Sequence, residues 1–217
     1  MSITIFLADD HPVLLDGLRL LLETQTDLKV IGTADNGREA VQQIAHCCPQ
    51  VVILDITMPD LNGLEAMQQI RELCPATRVI ILSMHGTTNY ILRALQAGAD
   101  GYLLKGSGSM EVIKAIHAVY AGRRYLSKKI SDQAVDDYMR QQQSAVVEDP
   151  LACLSCRERE VLQLVVEGKS SADIATMLCL SPNTVKTYRS RLMEKLRLND
   201  VPSLVKFAIQ YGVTPPE

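Results

Sequence analysis

Tryptophan is missing from this chain and phenylalanine occurs only twice among its 217 residues, so a core is built mainly from aliphatic side chains. No apolar run approaches the ~20 residues that a bilayer-crossing helix needs. The opening MSITIFLADD has neither the basic flank nor the small-residue cleavage site of a secretory signal, so the chain is read as soluble and cytoplasmic, with no membrane partner. Six cysteines stand at 47, 48, 74, 153, 156 and 179, and only Cys153 and Cys156 make a C-x-x-C pair. With no second pair and no His at zinc spacing, a structural zinc site is not expected. Cys47 and Cys48 end a helical stretch and read as small apolar fillers in a reducing compartment. A G-x-G-x-x-G fingerprint is also lacking, and the GKSS at 168–171 has Gln163 where a phosphate loop needs its first glycine.

Net charge is small, at -3, but unevenly spread. Residues 1–149 hold 13 Lys/Arg against 18 Asp/Glu, while residues 150–217 hold 9 against 7. The two parts face different partners.

What is present centres on VVILDITMPDLNG, residues 51–63. Four consecutive apolar residues, Val51 to Leu54, read as a short strand buried on both faces, which puts Asp55 at its carboxyl end. In open parallel sheets that end faces the ligand crevice. Pro59, Asp60, Asn62 and Gly63 then make a turn into a helix. Around this unit the pattern repeats. Strands are predicted at 3–7, 28–34, 51–54, 78–83 and 101–104, each followed by an amphipathic helix, the first of them carrying Val13, Leu14, Leu18, Leu21 and Leu22. Five such units imply a doubly wound parallel sheet with helices on both faces.

That topology gathers Asp9, Asp10, Asp55, Ser83 and Lys105 at one rim, because each ends a strand. Three carboxylates close together repel, and a divalent cation relieves them. Hard oxygen ligands suit Mg²⁺. Lys105 balances the remaining charge and the Ser83 hydroxyl can bond an oxyanion. A phosphatase with an aspartyl nucleophile is the enzymatic rival, but such enzymes place a second Asp two residues on as general acid, and here that position is Thr57.

The set ADD at 8–10, LDITMPDLNG at 54–63, LSMH at 82–85 and GYLLKG at 101–106 resembles the receiver domain of two-component response regulators over residues 1–124. The resemblance implies that Asp55 accepts a phosphoryl group from a sensor histidine kinase. It implies that Asp10, Asp55 and the Thr57 main-chain carbonyl hold Mg²⁺ with Asp9 assisting. Ser83 and Lys105 would contact phosphoryl oxygens, and Tyr102 would be an aromatic switch that turns inward when Ser83 moves. Gly106 stands where receivers often carry proline.

Residues 125–149 read as a linker. Ile130, Ala134, Val135, Tyr138 and Met139 recur at helical spacing within it, and Gln141 to Pro150 is a polar boundary. From 150 to 217 a small all-α domain of four helices is predicted. Ser155-x-x-Glu158 is a capping box opening the first. Residues 171–179 form the second, Ser181-Pro182 starts a third reaching about Leu196, and Asp200-x-Pro202 opens the last. Helices two and three make a helix-turn-helix. The third is basic, with Lys186, Arg189, Arg191, Lys195 and Arg197 against Glu194. Its N-terminal Asn183, Thr184, Lys186 and Thr187 are of the types that reach base edges and phosphates in a major groove.

This segment is similar to the LuxR-type DNA-binding domain, and with the receiver it makes the NarL/FixJ class. The expected fold is thus a flavodoxin-like five-stranded receiver plus a four-helix helix-turn-helix domain. The resemblance implies Lys186 and Thr187 at the groove and Arg189, Arg191 and Lys195 at phosphates of double-stranded DNA. Tyr188 stands where the family often has His. The expected function is that of a phosphorylation-regulated, homodimeric transcriptional regulator, not an enzyme. The alternative is a DNA-binding regulator whose receiver serves only as a phosphorylation-independent dimerisation module.

Overall fold

Alternation along the first strand divides the core into two layers. In the computed structural model, which describes residues 2–130, 150–211 and 213, β1 (Ile3–Ala8) sends Ile3, Ile5 and Leu7 to one face and Phe6 and Ala8 to the other. The chain continues through α1 (Pro12–Glu23), β2 (Leu28–Ala34), α2 (Gly37–Cys47), β3 (Val51–Leu54) and α3 (Gly63–Leu73). Then come β4 (Arg78–Ser83), α4 (Thr88–Gln96), β5 (Gly101–Leu104) and α5 (Ser109–Tyr120). All pairings are parallel. Helices α1 and α5 cover the Ile5 face; α2, α3 and α4 cover the Phe6 face. Val13 lies outside the apolar stripe expected for α1, being 86% exposed, and Leu18 and Leu22 anchor that helix instead.

The sequence reading counts five strands; the sheet has six, in the order β2-β1-β3-β4-β5-β6. β6 is Tyr125–Leu126, inside the stretch read as linker, and pairs with β5 through Gly101 and Tyr102. Two residues are too few for a period to register, and their Arg123-Arg124 approach looks solvent-bound. Past β6, Ser127 N–H donates to the Tyr102 carbonyl and Ile130 is fully buried against the Phe6 face. The rest of the helix expected over Ala134 to Met139 lies outside the described residues.

Cys48 and Cys74 are joined by a disulfide, their Cα atoms 5.6 Å apart. This corrects the reading of Cys48 as an apolar filler, and Cys47 is an exposed free thiol, so neither fills the core. The two bonded residues follow α2 and α3, whose C-terminal ends lie side by side, an adjacency hidden by 26 residues of sequence separation.

The turn after β3 is drawn tight around a glycine. Gly63 N–H donates to the Ile56 carbonyl at 2.8 Å, and a Cβ on Gly63 would stand 1.9 Å from the Asp55 carbonyl oxygen. No rotamer relieves a clash with backbone, so Gly63→Ala must open the loop between Asp55 and α3. We expect a loss of about 3 kcal/mol, at the upper end of overpacking costs, read as a lowered urea midpoint at unchanged slope.

The C-terminal part begins with a 3₁₀ turn, Pro150–Cys153, followed by α6 (Cys156–Val166), α7 (Ser171–Met177), α8 (Pro182–Leu196) and α9 (Val201–Gln210). Three of these four helix starts carry the chemistry expected of them, and Ser170 adds a cap that was not foreseen. Ser155 and Glu158 form a full capping box, Ser170 and Asp173 a second, Ser181 accepts from Thr184 N–H and Asp200 from Ser203 N–H. Val161, Leu162, Leu164, Ile174, Val185, Leu192 and Leu204 make a separate buried core.

Candidate functional site

Parallel pairing brings the ends of β1, β3, β4 and β5 level, and the acids and the lysine meet there. Asp55 is buried. Its Oδ1 accepts from Ile56 N–H at 2.8 Å, and its Oδ2 accepts from Lys105 Nζ at 2.8 Å and from the Thr57 hydroxyl at 3.2 Å. Lys105 also hydrogen-bonds Asp9 Oδ1 at 3.1 Å and lies 2.8 Å from Oδ2 without the alignment of a hydrogen bond. Burial of the ammonium works to lower the Lys105 pKa, but its bonds to Asp55 and Asp9 outweigh that and hold it above the ordinary range. It is a fixed cation between two buried carboxylates.

Asp10 joins the rim with 32% of its side chain exposed, and one neighbour was not foreseen. His11, the residue that precedes α1, places Nδ1 2.7 Å from Asp10 and 3.0 Å from Asp9. One ligand atom each from Asp9, Asp10, His11 and Asp55 fall within 4.8 Å of one another. Three anionic oxygens in that space suit a small hard cation, and these residues could hold Mg²⁺.

Ser83 is fully buried at the end of β4, and its hydroxyl oxygen accepts from His85 N–H at 3.1 Å. Tyr102 is already turned inward: it has no exposed surface and donates its hydroxyl to the His85 carbonyl at 2.7 Å. Burial pushes the phenol well above its usual pKa, against the bond to Ser83. The His85 ring stacks on Tyr90 at 4.3 Å, and burial lowers its pKa, with Asp55 opposing and Lys105 assisting. Described peptide bonds are all trans, including the one between Lys105 and Gly106.

The DNA-binding candidates divide into two groups. Asn183, Thr184, Thr187, Tyr188 and Arg191 line one open depression along the outer face of α8, and Lys186 is exposed on the same helix. Arg189 and Lys195 are engaged within their own domain. Arg189 donates to the Ser171 hydroxyl at 3.1 Å, and Lys195 donates to Glu158 at 2.6 Å. Burial works against the Glu158 charge, but Lys195 and Ser155 prevail and hold its carboxyl below the usual range. Tyr188 is half-buried and packs partly into the domain core.

A set of residues that sequence reading left unused joins the two parts. The Gln163 side chain accepts from Asn62 N–H at 2.7 Å and donates to the Met58 carbonyl at 2.9 Å, so one amide clamps both arms of the turn after Asp55. Glu167 accepts from Asp60 N–H at 3.2 Å, and Glu160 takes Gln69 at 3.3 Å and Arg38 at 3.9 Å. Arg159 lies 3.5 Å from Glu65 on α3, and Arg93 of α4 donates to the Tyr211 carbonyl at 2.6 Å. Helix α6 is therefore buried almost all round, while α8 faces outward.

Glu65 sits in that contact with only 2% of its surface exposed. Burial raises its pKa, against the opposing pull of Arg159, Arg93 and Asn62. A carboxyl raised in the folded state binds protons more tightly folded than unfolded. Its contribution to stability therefore falls as pH rises from the ordinary value of 4.5 to the raised one, and stays lost above it. Thermal melts of wild type and Glu65→Gln across pH 4 to 8 should show this falling component only in wild type. Parallel profiles would remove Glu65 as its source.

Comparison with known proteins agrees with both halves of this geometry. Residues 5–117 match the response regulator receiver domain and residues 152–208 match the bacterial regulatory proteins of the luxR family. The oxygen regulatory protein NreC of Staphylococcus epidermidis is 38% identical over 210 residues, covering 95% of this chain and 96% of its own. The response regulator UvrY of Escherichia coli is 35% identical over 215 residues, 99% of this chain and 97% of its own. A LuxR-family two-component response regulator from an Aurantimonas species, known from its crystal structure, is 34% identical with a TM-score of 0.62, covering 64% of this chain and 99% of that one. With its acidic rim on a parallel sheet and its helix-turn-helix behind, the chain belongs to the two-component response regulators that join a receiver to a LuxR-type DNA-binding domain.

Proposed function

We propose that this response regulator is a cytoplasmic, phosphorylation-gated transcriptional regulator in which Asp55 takes the phosphoryl group of a sensor histidine kinase. A carboxylate oxygen of Asp55 attacks phosphorus, the bond from phosphorus to the kinase imidazole nitrogen breaks, and an acyl phosphate results. The observation that carries the reading is the convergence of Asp9, Asp10, Asp55 and Lys105 at one rim with Ser83 beside them. Asp10, Asp55 and the Thr57 carbonyl, assisted by Asp9, would hold Mg²⁺, which when bound neutralises charge on the phosphoryl oxygens. Lys105 stays protonated and moves from carboxylate to phosphoryl oxygen; Ser83 hydrogen-bonds a second oxygen.

The gate is the turn after Asp55. A phosphoryl group adds roughly -1.5 to -2 charges and three acceptor oxygens within a few residues of the clamp made by Gln163. Rearrangement there favours release of α6, and released domains pair as a homodimer on double-stranded promoter DNA, with half-sites about 34 to 36 Å apart. The inward position of Tyr102 means that the aromatic switch need not travel before Ser83 engages the phosphoryl group.

The test is to treat the full chain with acetyl phosphate and Mg²⁺ and locate the base- and hydroxylamine-labile label by borohydride trapping and peptide mass mapping. The label is expected on Asp55 and to vanish with a chelator. A label on another residue, or steady turnover of phosphomonoesters without labelling, overturns the reading.

A further inference from the structure

Four of the six cysteines are exposed free thiols, and the other two are bonded to each other in a chain whose family works on DNA, inside the cell. Disulfides in that compartment are mostly transient, and serve catalysis or redox sensing. The Cys48–Cys74 bond has the asymmetry such a role needs. Cys48 is exposed at the end of α2, in the left-handed conformation, whereas Cys74 at the end of α3 is 3% exposed. An external thiol or disulfide reaches one sulfur and not the other.

Its position is equally specific. The two helices that it staples form part of the surface on which the DNA-binding domain rests, beside the turn after β3 and α4. Arg38 of α2 meets Glu160; Glu65, Gln68 and Gln69 of α3 meet Arg159, Cys156 and Glu160. We propose that Cys48 and Cys74 are a reversible thiol–disulfide pair that exchanges with low-molecular-weight disulfides of the glutathione class at Cys48, and that its oxidation state sets how firmly the DNA-binding domain docks on α2 and α3.

The chemistry balances. The Cys48 thiolate attacks one sulfur of the small disulfide, forming a mixed disulfide and expelling one thiolate. Cys74 then gives its proton to solvent and attacks the Cys48 sulfur, expelling the second thiolate. Two protein thiols are oxidised and one disulfide is reduced to two thiols. Cys47, the exposed neighbour, is the competing nucleophile, and it is tested by substitution.

The experiment uses the full chain, reduced with dithiothreitol and then exposed to glutathione disulfide. Intact mass and peptide mapping should show Cys48 and Cys74 cross-linked in wild type and in Cys47→Ser, and glutathione retained on Cys48 in Cys74→Ser. Amide exchange at Asp60 and Asn62, whose N–H groups donate to Glu167 and Gln163, should slow several-fold on oxidation of wild type. The wild-type comparison alone decides the case should Cys74→Ser fail to fold. Glutathione resting only on Cys47 overturns the proposal, as does equal exchange at these amides in the two redox states.

Discussion

Asp55→Asn, treated with acetyl phosphate and Mg²⁺, is expected to take up no phosphoryl group, and its affinity for operator DNA to be the same before and after treatment. The substitution keeps the shape of the side chain but removes its nucleophile and its charge. It also breaks the bonding pattern. Asp55 accepts from Ile56 N–H through one oxygen and from Lys105 through the other, so either orientation of an amide turns its NH₂ toward a donor. Lys105 would then keep Asp9 as its one charged partner among the described residues. Labelling by radioactive acetyl phosphate, with gel-shift titration on the same samples, reads both effects. Full labelling of the variant would place the acceptor elsewhere.

The second large effect is expected at α8. Lys186→Ala combined with Arg191→Ala should weaken operator binding by about 3 kcal/mol or more, near 100-fold, if each side chain makes one charge-assisted bond to phosphate. The slope of log K against log salt should flatten by about 1.8, since each lost phosphate contact changes it by about 0.9. These two are cleaner probes than Arg189 and Lys195, which hold Ser171 and Glu158 within the domain and whose loss would loosen the fold itself. An unchanged melting temperature checks that the pair acts on DNA and not on folding. An unchanged salt slope would mean that another surface meets the duplex.

The parts of this architecture that were legible from residues alone are those governed by local period and punctuation. Val51 to Leu54 is buried throughout, as an unalternating strand should be, and Asp9, Asp55, Ser83 and Lys105 meet because a parallel sheet aligns strand ends. The helix-opening residues Ser155, Ser181 and Asp200 all cap, and Asn62, read only as part of a turn, caps α3 as well. What escaped is non-local. Cys48 and Cys74 meet only because α2 and α3 end together, and β6 is too short to carry a pattern. The contact surface of α6 was visible in principle. Cys156, Glu160, Gln163 and Glu167 recur at spacings of four, three and four, a polar stripe opposite Val161, Leu164 and Val165. A polar stripe reads as a wet face unless a partner is known, and this one is covered by loop backbone that needed hydrogen bonds.

The outward orientation of α8 has a consequence for how such a regulator idles. Because docking is made by α6, the outer face of α8 stays open to solvent, and on the proposed function Lys186 and Arg191 would be free to meet a duplex before phosphorylation as well as after it. On that reading stimulation would add a second reading head held at the correct pitch, and the decision to transcribe would be one of partnership between two molecules.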